Sequence, residues 1–221
     1  MEKEENILGT EKISKLIKRF SIPCIISLLV NSLYNIVDSF FVGKYSETGL
    51  TALSIIYPVQ LLMIALGVGT GVGINTDMAY YLGIGKKKKA EEVAGTGTPL
   101  GLILWIIFAA VCYVTLPAYA GMSTDSPEVI RDVVAYGRIV CLFSIGLFTE
   151  GIWSKILQAE GDMRTPMIAQ IAGAVVNIIL DPLLIFGMLG MPEMGISGAA
   201  VATVSGQIVA ALIVMKKAWY R

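Results

Sequence analysis

Residues 34–43 read YNIVDSFFVG, with a single aspartate, Asp38, inside an apolar run. Upstream of it Tyr34, Asn31 and Ser27 lie at intervals of four, three and four residues. That spacing puts all four side chains on one face of a helix, and Ile, Leu, Val and Phe fill the rest. A carboxylate in hydrocarbon costs at least about 2.5–3.5 kcal/mol on insertion scales, so its presence there needs a reason.

The composition predicts that this helix lies in a membrane. Of 221 residues, 55% are hydrophobic and only 15% charged, whereas about 25% are charged in an ordinary globular domain. Six runs reach the roughly 20 apolar residues that a span requires, at about 21–43, 52–82, 96–118, 133–157, 167–189 and 195–215. The second is longer than a bilayer needs and is expected to tilt or to end in a turn outside it. The predicted fold class is all-α: a polytopic membrane protein whose six transmembrane helices form one bundle.

The basic residues alternate with these spans. Lys12, Lys15, Lys18, Arg19, Lys86 to Lys89, Lys155, Arg164, Lys216, Lys217 and Arg221 fall on one side. Only Lys44 and Arg131 fall on the other, with Arg138 just inside a span. By the positive-inside rule both termini are cytoplasmic. Residues 1–20 are expected to form a cytoplasmic segment whose Ile13, Leu16 and Ile17 make a short amphipathic helix on the membrane surface. Residues 21–217 are then the bundle and 218–221 a cytoplasmic end.

Several function classes drop out. The chain has no histidine, which removes the usual general base, the commonest metal ligand and Ser-His-Asp chemistry. A proton carrier inside this protein must therefore be a carboxylate. Cys24, Cys112 and Cys141 stand singly in apolar segments, with no CxxC pair for zinc or redox work. Net charge is +0, and the KKKK run at 86–89 reads as a topology-fixing loop, not as a nucleic-acid contact. GVGTGVG at 67–73 mimics a phosphate loop but lacks the strand before it and the Lys-Ser or Lys-Thr after it. Gly67 and Gly71 are four apart, the spacing of close helix packing, and clustered glycines also allow a helix to bend.

A second polar pair answers Asp38. Asn177 and Asp181 share a helical face in the fifth span, and NIILDPLLIFG weakly repeats NIVDSFFVG. Carboxyls so placed face a bundle interior or a watery cavity and lie on an ion or proton path; the alternative is two carboxyls hydrogen-bonded to Asn or Tyr to join helices. Pro58 and Pro182 fall within spans, and Pro182 frees the carbonyl of Ile178. Gln60, Thr76, Asp77, Glu150, Thr203 and Gln207 are further polar residues in or near spans. For these the structural reading is preferred, with water or Lys155 satisfying Asp77 and Glu150.

Four segments carry a family resemblance: LGTEKISKLIKRFSIPCIISLLVNSLYNIVDSFFVG, GLTALSIIYPVQLLMIALGVGTGVG, LQAEGDMRTPM, and VVNIILDPLLIFG followed by GISGAAVAT. In this order they resemble the multidrug and toxic compound extrusion (MATE) transporters over nearly the whole chain. The resemblance implies an efflux antiporter of the plasma membrane that exchanges an organic, often cationic, compound for H+ or Na+, with no other cofactor. It also implies two six-helix lobes around a central cavity, of which this chain matches the N-terminal one. The missing half is either a C-terminal lobe or a second half-length chain. Carried over by position, the cation site is Asp38, Tyr136, Asn177, Asp181 and Thr203, while Asn31, Tyr34 and Gln60 line the stripe or the substrate cavity. Pro58, Pro182, Gly67 and Gly71 are the candidate bend positions. The expected partners are the lipid bilayer and a small organic cation.

Three rival functions are weighed. A lipid-linked precursor flippase of the same superfamily would be expected to need a more basic cavity. A non-transporting membrane subunit requires a native half-length chain. An intramembrane aspartyl protease would carry a glycine after each catalytic aspartate, whereas Ser39 and Pro182 stand there, so no enzyme is expected.

Overall fold

The computed structural model describes residues 11–219. Seven α-helices follow one another: α1 (Ile13–Tyr45), α2 (Glu47–Gly83), α3 (Lys87–Ser123), α4 (Pro127–Leu142), α5 (Ile145–Ala159), α6 (Arg164–Ile185) and α7 (Ile196–Trp219). A short 3₁₀ turn at Met188–Gly190 joins the last two. Five helices are long and apolar enough to cross a membrane, and α4 with α5, bent by 44° at their break, is long and apolar enough together to make a sixth. No strand occurs among the described residues.

The first corner shows how polar side chains close such helices. Ser46 is extended (φ −158°, ψ 133°); its N–H donates to the Val42 carbonyl, ending α1. Its hydroxyl accepts from the Gly49 N–H at 3.2 Å, starting α2. Thr48 bonds the Ser46 hydroxyl at 2.6 Å and donates to the Asp132 carboxylate at 3.1 Å. The corner is thereby tied to α4.

The structure changes three expected boundaries. Residues 13–20 run straight into α1 as part of one 33-residue helix, not as a separate surface helix. No glycine breaks the join, and Pro23 is accommodated within the helix. Residues 1–10 of that expected segment lie outside the described residues. The fourth span is not one helix over 133–157: it breaks at Phe143 and Ser144. The break is chemically satisfied, because the Trp105 indole donates to the Leu142 carbonyl at 3.1 Å and the Ser144 hydroxyl to that of Cys141 at 2.8 Å. The fifth span stops at Ile185, not at 189, because Gly187 turns the chain in the left-handed region (φ 68°).

The main core lies among α2, α3, α4 and the starts of α5 and α7, with Ile56, Met63, Leu116, Val133 and Phe148 almost wholly buried. Outer faces are apolar and uncovered: Leu28, Leu29, Leu33, Ile36 and Phe40 of α1 are all exposed. Such a surface suits lipid. Within this chain α1 is the least covered span, its buried residues being Pro23, Asp38 and Val42.

Candidate cation site

The polar stripe of α1 faces the bundle. Ser27, Asn31 and Tyr34 are half-buried and Asp38 is buried, whereas their neighbours on the opposite face are open. α1 packs on α6, where Asn177 and Asp181 are both buried, Asp181 completely. Thr203 of α7 and Tyr136 of α4 are buried as well. Four helices therefore bring the five predicted site residues into one region.

The internal bonds are few and long. The Asn177 amide nitrogen donates to the Asp181 carboxyl and to the Thr203 hydroxyl, each at 3.4 Å. Gln60 donates to the Tyr136 hydroxyl at 3.2 Å. That hydroxyl also faces Thr203, and Asp38 lies within electrostatic reach of both Tyr136 and Asp181. Three buried acceptors are left over: one oxygen each of Asp38, Asn177 and Asp181 has no hydrogen-bond partner. Unsatisfied buried oxygens are expensive, and here they cluster. The donor set is oxygen only: two carboxyls, one amide and two hydroxyls. It can hold a proton or a hard cation, and no group of three or more Asp, Glu, Cys or His that could hold a metal occurs among the described residues.

Close backbone approach sets this geometry. A Cβ on Gly206 would lie 2.5 Å from the Gly173 carbonyl oxygen, and one on Gly173 would lie 2.7 Å from that of Gly206. Gly198 is likewise jammed against the Leu184 backbone. Gly173 is one turn from Asn177, and Gly206 one turn from Thr203, so the glycines draw the amide up to the hydroxyl. Their spacing from the polar residues was visible in the sequence, but it did not by itself show which faces meet.

The remaining candidates sort as follows. Gly67 and Gly71 face α5: a Cβ on Gly71 would meet the Gly151 carbonyl oxygen at 2.7 Å. Gly69 and Gly73 face open space. α2 runs unbroken through Pro58, which is exposed. Pro182 sits in the last turn of α6, directly after Asp181. Glu150 lies in α5, accepts a 2.6 Å bond from Ser154 and is within electrostatic reach of Lys155, the partner expected for it, and of Tyr34.

Comparison with known proteins bears on the family and the fold. Residues 23–183 match the MatE family model. The chain is 28% identical over 211 residues to a protein named FAD transporter from Shewanella oneidensis, covering 94% of this chain and 46% of that protein. It is 29% identical over 216 residues to the multidrug export protein MepA of Staphylococcus aureus, covering 95% and 46%. Among solved structures, a MOP superfamily transporter from Pyrococcus furiosus superposes with a TM-score of 0.89 at 29% identity, over 96% of this chain and 46% of that one. The chain thus spans about half the length of the curated relatives it matches. Most of its length carries the family pattern, its fold is that of half such a transporter, and the chain belongs to the MATE family of membrane transporters.

Proposed function

We propose that this chain supplies the ion-holding lobe of an antiporter that exports organic, often cationic, compounds across the cell membrane in exchange for H+ or Na+. The observation that carries the reading is the cluster of three partnerless buried oxygens on Asp38, Asn177 and Asp181. A proton or a Na+ ion gives those oxygens a partner, aided by the Thr203 and Tyr136 hydroxyls and the Ile178 carbonyl that Pro182 frees.

The residues come from different helices, and that is what makes the ion useful. Asp38 rides on α1, whereas Asn177 and Asp181 are fixed on α6 and Thr203 on α7. An ion shared between Asp38 and Asp181 holds α1 against the bundle; its release leaves carboxyl groups that no longer share a bridge. An ion biases two conformations only if it binds one of them better. α1 is the element whose position decides whether both carboxyls reach the ion. The organic substrate then occupies the cavity between this lobe and a second one, supplied by a C-terminal half or a second chain, with both termini of this lobe in the cytoplasm.

A cationic substrate is favoured over an anionic one such as FAD or a lipid-linked diphosphate. The α1 stripe itself offers Asp38 and neutral polar groups and no cation. Phosphates would need arginine or lysine there. The test is Asp181→Asn in the full-length context, assayed for efflux driven by imposed Na+ or pH gradients in liposomes. Loss of ion-driven efflux with normal folding is expected; undiminished coupled efflux sinks the reading.

A further inference from the structure

A groove of about 590 Å³ opens between the second half of α2 and the first half of α3, away from the cation site. It runs beside α2 from Thr70 to Tyr81 and beside α3 from Lys89 to Leu100. Eleven steps of about 1.5 Å make it roughly 17 Å long, starting near the end of α2 at Gly83. It therefore runs from beside the turn that joins the two helices to Leu100, a few residues inside the third apolar run, which begins near residue 96.

Its lining changes along this length. The outer end holds Asp77, Tyr81, Lys89 and Glu92; the inner part is Gly73, Ile74, Val93 and Leu100 with Thr70 and Thr96. Ile74 and Val93 pack against Ile152 and Ile156 of α5, which closes the floor. A Cβ on Gly73 would meet nothing within 4 Å, so the groove is open there. Polar at the headgroup level and apolar below it, the groove matches an amphiphile lying along the helices.

The charges at its outer end are unpaired. Ion pairs among the described residues join Lys15 and Arg19 to Glu11 and Arg131 to Asp132, and none joins Lys89 to Asp77 or Glu92. Lys89 instead sits over the Tyr81 ring, 5.7 Å from its centroid. Opposite charges that share a groove without touching leave room for a group carrying both signs.

We propose that this groove binds phosphatidylethanolamine from the adjoining leaflet, with its phosphate at Lys89, its ammonium at Asp77 and Glu92, and the start of an acyl chain on Ile74, Val93 and Leu100. The headgroup chemistry selects among lipids. An anionic glycerol headgroup satisfies Lys89 but faces two carboxylates. A choline headgroup has the right charges but no N–H to donate, whereas a primary ammonium has three. A simple organic cation would satisfy the carboxylates and be repelled by Lys89.

Native mass spectrometry of the delipidated chain tests this with equimolar phosphatidylethanolamine, phosphatidylcholine and phosphatidylglycerol, and separately with tetraphenylphosphonium. Retention of phosphatidylethanolamine about tenfold over the other two lipids is expected. Asp77→Asn with Glu92→Gln should erase that preference. Leu100→Trp, which fills the inner groove and leaves the charges intact, should lower phosphatidylethanolamine binding as well. Thermal melting of each variant identifies one that has lost its fold, and the intact variant then decides. Equal retention of the three lipids by the unmodified chain overturns the proposal. So does tetraphenylphosphonium binding that depends on Asp77 and Glu92 while phosphatidylethanolamine does not bind.

Discussion

Gly206→Ala adds one methyl group where α6 and α7 come closest. The new Cβ would lie 2.5 Å from the Gly173 carbonyl oxygen and 3.4 Å from Cβ of Asn177. An oxygen of the backbone cannot swing aside, so the helices must part by about 1 Å to restore an ordinary contact. Overpacking of this kind costs about 1–3 kcal/mol. It also acts on the site directly. The Asn177 to Thr203 bond is already 3.4 Å long, and any added separation breaks it. With about 2–4 °C of melting temperature per kcal/mol for a chain of this size, Gly206→Ala should melt about 2–12 °C below the unmodified protein. The control is Gly69→Ala, whose Cβ meets nothing within 4 Å; it should melt at or above the unmodified protein, since Ala favours helix over Gly. The assay is thermal unfolding in detergent across a pH and Na+ series. If Gly206→Ala melts like Gly69→Ala, the close glycine contact does not hold the two helices at the site, and this account of its geometry fails.

Other predictions follow from single contacts. Trp105→Phe removes the indole donor from the Leu142 carbonyl at the break in the fourth span. It should cost about 1–3 kcal/mol in the same melting assay, against no change for the exposed Trp219→Phe. Tyr136→Phe leaves the Gln60 amide without the hydroxyl it donates to; isothermal titration with Na+, or proton uptake on a pH step, should show weaker ion binding, and unaltered uptake would remove Tyr136 from the site. Glu150→Gln keeps an acceptor for Ser154 but loses the charge beside Tyr34. In full-length efflux assays it should reduce export of cationic compounds more than neutral ones, and an unchanged ratio would contradict a substrate-facing role.

Helix count and membrane character were legible because they depend on summed hydrophobicity, which needs no tertiary information. The same holds for Asp38 and Asp181: each is an expensive residue in a span, and helical spacing named its companions. What was not legible depends on which faces meet. The break at Phe143 and Ser144 carries no proline or glycine; it exists because Trp105, from another helix, caps the exposed carbonyl. The amphipathic segment at 13–20 failed as a separate helix for a local reason, since nothing in its sequence stops helix propagation into α1.

Under the ion-coupling proposal, an acid on α1 has more leverage than the same acid elsewhere would. α1 buries only Pro23, Asp38 and Val42 against its own lobe, so hydrophobic packing holds it weakly. Val42 belongs to the main core and the end of α1 is tied through Ser46 and Thr48 to α4. That end is therefore anchored, while the rest of α1 buries only Pro23 and Asp38 and is otherwise half-buried or open. Asp38 lies one turn before the anchor, with a buried oxygen that nothing in the lobe satisfies. A change in what Asp38 binds thus acts where the fixed and the loosely packed parts of the helix meet. Under the ion-coupling proposal this placement gives a small local event leverage over a long helix, and a carboxylate buried in the middle of α6 alone would have none.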